Sequence, residues 1–146
     1  MKKLFFLIFF AFLATNFAHA DFNDFLLKNG KIIVGAVGPA LKKVSLTWSL
    51  DALQSVIDPD YFKDSKDSYI KMLKNASYLG EFRGCKSLDI GQIDVDKNKE
   101  LMVLKDSGVG ITGNCNYENG NAEILAILMV ENSEAKLLAL TIKPKK

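Results

Sequence analysis

Residues 120–142 read GNAEILAILMVENSEAKLLALTI, and they give the strongest indication of the fold. Seven apolar residues run without interruption through 124–130, polar residues fill 131–134, and apolar residues then take every second position from 138 to 142. Two long apolar segments on either side of a short polar one are typical of an antiparallel hairpin. The stretch therefore predicts the last two strands of a sheet, joined by a turn at Glu131–Glu134.

The first of these strands does not alternate between apolar and polar residues. An antiparallel strand with one face in water does alternate, so something covers both faces of residues 124–130. Helices can cover one face, and the other requires a second subunit, a protein partner or the N-terminal segment. We therefore expect a sheet-face interface at Leu125, Ile127 and Met129, through which the chain forms a homodimer or binds another exported protein.

Further strands are predicted upstream of this hairpin, where the apolar period is again two. Leu88 and Ile90 share one face, whereas Ile93 and Val95 have the opposite parity, so we predict a β-bulge at Gly91–Gln92. The remaining features expected in this half are a turn at 96–99, a return strand at 101–103, a strand around 115–117 and a hairpin turn at 119–120.

Residues 21–80 follow a helical pattern instead. A short helix is expected over 21–27, ended by Gly30, while residues 31–38 fit a strand and a buried helix equally well. Pro39 then suits the first turn of a helix that continues to Trp48. Two more helices are expected, one from the N-cap Ser49 to Asp58-Pro59, and one with the apolar stripe Tyr69, Met72, Leu73 and Ala76, ended by Gly80.

Helices followed by strands predict an α+β fold. We expect N-terminal helices packed on a curved antiparallel sheet of about four to six strands, an ordinary sheet size. Residues 21–146 have the length of a single domain with one hydrophobic core. We therefore predict one α+β domain over 21–146, without an internal repeat or linker.

The first twenty residues have the pattern of a secretory signal peptide. Lys2 and Lys3 precede an apolar run at 4–13, and Ala18-His19-Ala20 offers a cleavage site with small residues at the required positions. We predict cleavage after Ala20 and a periplasmic or secreted protein. His19 is the only histidine in the sequence, so the mature chain lacks the side chain most often used for acid–base catalysis.

Charge and length exclude two classes of partner. The whole chain has 19 basic and 17 acidic residues, and the leader holds two of the lysines, which leaves 17 of each sign. A neutral chain has no electrostatic footprint for nucleic acid. The apolar run of ten residues is half of what a bilayer span needs, and no cysteine follows the cleavage site, so no membrane anchor is expected.

Two cysteines remain, Cys85 and Cys115. In an oxidising compartment, a lone pair so far apart is most simply a structural disulfide. A redox role would need a C-x-x-C pair or a thiol beside a base, and neither is visible in the sequence.

Three short motifs in the chain match known functional patterns, but each lacks the residues or the structural context that its function requires. Gly108 to Gly113 matches G-x-G-x-x-G, but strand-like residues follow it where a dinucleotide site needs a helix. Asp94, Asp96 and Asn98 have the spacing of a calcium loop that lacks its glycine and its glutamate. Ser68-Tyr-Ile-Lys71 is an S-x-x-K without a second catalytic motif. No metal, cofactor or catalytic residue is therefore predicted.

The order of elements resembles the nuclear transport factor 2-like (NTF2-like, cystatin-like) superfamily over residues 40–143. The resemblance is carried by the segment from Trp48 to Pro59 (WSLDALQSVIDP), by Tyr78-Leu79-Gly80 and by the closing hairpin. It implies a cone in which a curved sheet wraps around helices. Aromatic residues would then line the mouth of a pocket in the cone, and the candidates are Trp48, Tyr61, Tyr69, Tyr78 and Phe82.

Three functions remain open at this point. The first is a non-enzymatic exported domain that acts through protein contacts or self-association, which the strand at 124–130 favours. The second is a carrier for a small apolar ligand in the cone interior. The third is a histidine-free isomerase or dehydratase, which would need a buried carboxylate.

Overall fold

The computed structural model describes residues 19–92 and 108–145. It confirms the α+β fold, with N-terminal helices packed against an antiparallel sheet of four strands in the part of the chain described. The helices are α1 (His19–Thr47), α2 (Leu50–Val56), α3 (Pro59–Phe62) and α4 (Lys66–Ala76), and the strands are β1 (Phe82–Gln92), β2 (Gly108–Tyr117), β3 (Gly120–Glu131) and β4 (Glu134–Pro144).

Helix α1 runs continuously for 29 residues, so the predicted helix end at Gly30 and the helix start at Pro39 are both wrong. A glycine inside a helix costs only about 1 kcal/mol relative to alanine. Pro39 deprives the Gly35 carbonyl of its helical partner, but Gly35 is exposed, where water can bind the carbonyl. A stripe of buried residues continues past Pro39 and favours one unbroken helix; it consists of Ile33, Val37, Ala40, Leu41 and Val44.

Helix α1 ends one residue before the predicted end, because Trp48 has a left-handed backbone with φ of 48°. Ser49 then caps α2 as predicted, and its Oγ accepts a hydrogen bond from the Ala52 N–H at 3.1 Å. Asp58 caps the short helix α3 in the same way, through the N–H of Asp60 at 3.0 Å. Side-chain caps of this kind satisfy backbone donors that a helix start leaves unpaired.

Helix α4 has the predicted stripe and lies against the edge of β4. Tyr69, Leu73 and Ala76 are buried, and Met72 is half-buried. The Met72 Sδ accepts a hydrogen bond from the Ile142 N–H at 3.2 Å. Nearer the start of β4, the Leu137 carbonyl accepts one from the Asp58 N–H at 2.8 Å. These contacts cover a strand edge that would otherwise be open to another chain.

The strands follow each other in the order β1-β2-β3-β4, each antiparallel to the next. The predicted hairpin between β3 and β4 is confirmed, with Asn132 and Ser133 at φ values of 53° and 63° in its two-residue turn. Positive φ at both positions matches the right-handed twist of the strands. The β2–β3 turn lies at Glu118–Asn119, one residue before the predicted position.

The irregularities of the sheet lie elsewhere than predicted. Pairing between β1 and β2 stays regular through Gly91 and Gln92, where a bulge was expected. Register shifts occur instead at 82–84 and 85–87, and again between β3 and β4 at 127–128. The alternation at Ile93 and Val95, the turn at 96–99 and the strand at 101–103 lie outside the residues described.

Several elements meet in one cluster, which we call the junction: Trp48, Gly80, Phe82, Tyr117 and Glu118. The Trp48 indole donates a hydrogen bond to the Gly80 carbonyl at 3.0 Å, and the Trp48 and Phe82 rings lie 5.7 and 5.6 Å from the Tyr117 ring. The junction therefore ties the end of α1 to the start of β1 and to the β2–β3 turn.

Candidate functional site

The two cysteines form the predicted disulfide, with an S–S distance of 2.07 Å. Cys85 on β1 lies directly opposite Cys115 on β2, and Cys115 is fully buried. The bond is two to three residues from the junction and closes a sequence separation of 30 residues. It is a cross-link of the core.

The five aromatic residues expected to line a pocket do not come together. Trp48 and Phe82 pack on Tyr117 in the junction, and Tyr69 stacks on Phe62 with ring centroids 5.6 Å apart. Tyr61 is half-buried and Tyr78 is exposed. Three of the five therefore pack in two separate places, Trp48 and Phe82 in the junction and Tyr69 on Phe62.

The residues expected to form a sheet-face interface are mostly buried within one chain. Ile127 is 1% exposed and Leu125 is 9% exposed, while Met129 is half-buried. Side chains alternate along a strand, so these three point away from the face that holds Ile124 and Leu128 in the main core. The strand at 124–130 is therefore covered on both faces at Ile127 without a second subunit, whereas Leu125, which is 9% exposed, lines an open groove.

A groove opens between α4 and the sheet face opposite the main core. It encloses about 790 Å³ and is open to solvent. Two complete cross-strand rows line it, and each row contributes one residue from every strand. The first row is Asp89, Thr112, Leu125 and Thr141, and the second row is Ser87, Asn114, Glu123 and Lys143.

Helix α4 forms the remaining wall with one face of the helix. Ser68, Lys71, Met72 and Asn75 line the groove at the spacing that places them on one side. Tyr69 lines it too, although its side chain also belongs to the buried stripe. Helix α4 therefore packs its apolar stripe against the core and lines the groove with the residues beside that stripe.

The Tyr69 hydroxyl is a buried polar group that lacks a regular hydrogen bond. Its residue is 2% exposed. Burial raises the pKa of Tyr69 to about 12, and the nearby Leu140 backbone amide opposes this rise. Buried hydroxyl groups without a partner are uncommon in folded proteins. Two other tyrosine hydroxyls share the condition: burial raises the pKa of Tyr117, and burial together with the Asp58 and Asp60 charges raises that of Tyr61.

Charged residues divide the groove into two sides. Lys71 on α4 and Lys143 on β4 lie on one side, where Glu123 on β3 is the direct cross-strand partner of Lys143, and Asp89 is on the far strand β1. Neighbouring strands are about 4.8 Å apart, so β4 and β1 are separated by roughly 14 Å. Between these charges lie an apolar floor at Leu125 and the amide and hydroxyl groups of the two rows.

The chemistry of these residues suits binding. The volume falls within the range of small-molecule sites, about 300–1,000 Å³. Among residues 19–92 and 108–145, no group of three or more histidine, cysteine, aspartate or glutamate side chains could hold a metal ion. The carboxyl groups whose burial is described are exposed, apart from the half-buried Asp58 and Glu81. The glycines of the G-x-G-x-x-G match lie within β2, a strand.

Sequence reasoning missed the groove because its residues carry no motif. The available signal was the alternation of polar residues at Ser87 and Asp89, at Thr112 and Asn114, and at Thr141 and Lys143. Such alternation marks a strand face that is not core, but only the register of four strands shows that these pairs form continuous rows.

Comparison with known proteins identified no relative. No family model, no curated protein and no solved structure matches this chain. Within the described residues, no helix is both long and apolar enough to cross a membrane.

Proposed function

We propose that this chain is an exported, non-catalytic binding domain that holds a small amphipathic ligand in the groove between α4 and the sheet. The observation that carries the proposal is the groove itself, with its apolar floor, its two mostly polar rows and the buried Tyr69 hydroxyl beside it. Ligand sites commonly combine a mostly apolar surface with a few polar groups that orient the ligand.

Binding through the apolar strand is less well supported than binding in the groove. Self-association at Leu125 and Ile127 was expected because both faces of the strand need cover, and both residues are already buried in a single chain. An isomerase or dehydratase is less well supported as well, because the carboxylates in the groove, Asp89 and Glu123, are exposed.

Export and family membership belong to the same proposal. The leader pattern and the disulfide between Cys85 and Cys115 support an oxidising compartment, periplasmic or extracellular. Helices followed by four antiparallel strands support the resemblance to the NTF2-like superfamily.

The test is a binding map on the full chain, expressed with its own leader in a bacterial host and purified from the exported fraction. The ¹⁵N-labelled protein is titrated with sodium dodecanoate and with the peptide Ala-Leu-Ala-Ala. We expect amide shifts from at least one probe at Thr112, Leu125 and Thr141. The intact mass of the purified protein shows whether cleavage follows Ala20.

A matched pair of variants locates the binding. Asn114→Trp fills the groove, because Asn114 is an exposed residue of the second row. Asn121→Trp places the same side chain at an exposed position on β3 outside the groove. We expect the first variant to lose the probe shifts and the second to keep them. The proposal fails if neither probe shifts the groove residues at millimolar concentration.

A further inference from the structure

We infer that the ligand of this groove is a short linear peptide with free termini. The inference rests on the proposed function and names its substrate class. The carboxylate of the peptide lies at Lys71 and Lys143, and its ammonium group lies at Asp89. The groove thus recognises the two ends of the peptide by charge and its middle by backbone hydrogen bonds.

The distribution of charge supports a dipolar ligand. Met72 and Ile142 are in contact, and their chain neighbours Lys71 and Lys143 both line the groove, so the two ammonium groups belong to the same wall. Asp89 lies on the opposite edge strand. The α4–β4 side holds two ammonium groups against the single carboxylate of Glu123, so a ligand with one negative and one positive end complements both sides of the groove.

The length of the groove sets the length of the peptide. An extended chain rises about 3.3 Å per residue, so about four residues cover the roughly 14 Å between β4 and β1. Thr112, Asn114 and Thr141 carry hydroxyl and amide groups between the two charged sides. These groups can pair with peptide N–H and C=O groups, which would be costly to leave without partners on binding.

The apolar residues that line the groove lie on α4, β3 and β4, whereas the β1 and β2 residues that line it are polar or glycine, which favours a peptide over a lipid. Leu125 is the single apolar member of the two rows, and Met72 is its counterpart on the α4 wall. One aliphatic side chain of a peptide suffices to contact both. A long alkyl chain would instead lie along Thr112 and Asp89, whose polar groups would lose water without gaining a partner.

The experiment measures dissociation constants for four probes by NMR titration of the exported full chain. Three are forms of Ala-Leu-Ala-Ala, with free termini, with an acetylated N-terminus and with an amidated C-terminus, and the fourth is sodium dodecanoate. Ion pairs in open sites are weak, so we expect each blocked terminus to weaken binding about threefold to fivefold.

Variants assign each terminus to its side of the groove. In the double variant Lys71→Gln/Lys143→Gln, the free and amidated peptides should bind equally, and in Asp89→Asn the free and acetylated peptides should bind equally. The controls Lys74→Gln and Asp67→Asn change exposed residues of α4 that do not line the groove. They should preserve both differences.

The outcomes separate the two proposals. If dodecanoate shifts the groove residues and the peptides do not, or if blocked termini bind as well as free ones, the peptide inference is wrong and the groove remains a binding site. If none of the four probes shifts residues of the two rows, both the inference and the proposed function are wrong.

Discussion

The junction and the groove both contain polar side chains, but these side chains have different surroundings. In the junction, the Trp48 indole is bonded to the Gly80 carbonyl, and Glu118 pairs with Arg83 at 3.1 Å. In the groove, the polar groups of Thr112 and Asn114 face an open volume of about 790 Å³. The polar side chains of the junction stabilise the fold through their internal contacts, whereas those of Thr112 and Asn114 face a cavity and are available to a ligand.

The junction and the groove also differ in how they are held together, because the disulfide lies next to the junction. It joins β1 to β2 next to the junction, whereas the α4–β4 side of the groove is held by packing and by contacts such as the one between Met72 and Ile142. Substitutions in the junction should therefore change stability, and substitutions in the groove should change ligand binding with little effect on stability.

The largest expected effect comes from removing the disulfide with Cys85→Ala/Cys115→Ala. Closing a loop of about 30 residues contributes roughly 3.5 kcal/mol in the chain-entropy model. The midpoint of guanidinium chloride denaturation should fall accordingly. As a control, dithiothreitol should lower the midpoint of the wild-type protein and leave that of the double variant unchanged. An unchanged wild-type midpoint under reduction would show that the bond does not stabilise this fold.

A smaller loss is expected from Gly80→Ala in the junction. Gly80 has φ of 75° and ψ of −153°, and an added Cβ would lie 2.6 Å from the Glu118 Oε1. Such a backbone costs a residue with a side chain about 1–3 kcal/mol. The control Gly30→Ala lies inside α1 with no atom within 4 Å of the new Cβ, and should stabilise by up to about 1 kcal/mol. Denaturation curves giving both variants the same sign would contradict the comparison.

The smallest effect at neutral pH is expected from Tyr69→Phe at the groove, because the hydroxyl lacks a regular hydrogen bond and the ring remains stacked on Phe62. At high pH the variant should be the more stable protein. The folded pKa of about 12 exceeds the ordinary value of 10, so the unfolded wild-type chain releases this proton first and stability falls as pH rises from 10 to 12.

The two-unit difference in pKa corresponds to a loss of up to about 2–3 kcal/mol. Thermal unfolding of both proteins at pH 7, 10 and 11 measures it. Tyr117 keeps some pH dependence in the variant, because burial raises its pKa as well. Parallel losses in the two proteins would show that Tyr69 titrates normally in the fold.

Local patterns were sufficient to predict several elements. The stripe on α4, the cap at Ser49 and the hairpin around Asn132 each depend on residues within a few positions of one another. The interruption of α1 at Gly30 and Pro39 was predicted from equally local signals and was wrong. Local penalties of about 1 kcal/mol for a glycine and about 3 kcal/mol for a proline are outweighed when a long stripe of buried side chains favours one continuous helix.

Sequence patterns alone were enough to predict the α+β class, the pairing of Cys85 with Cys115 and the hairpin of β3 and β4. By contrast, the row of Asp89, Thr112, Leu125 and Thr141 beside α4 follows from the pairing of all four strands and could not be predicted from the sequence. The two kinds of feature differ in the range of the interactions that form them. Periodicity and capping act between near neighbours, whereas register and helix placement depend on contacts across 70 residues, such as that between Met72 and Ile142.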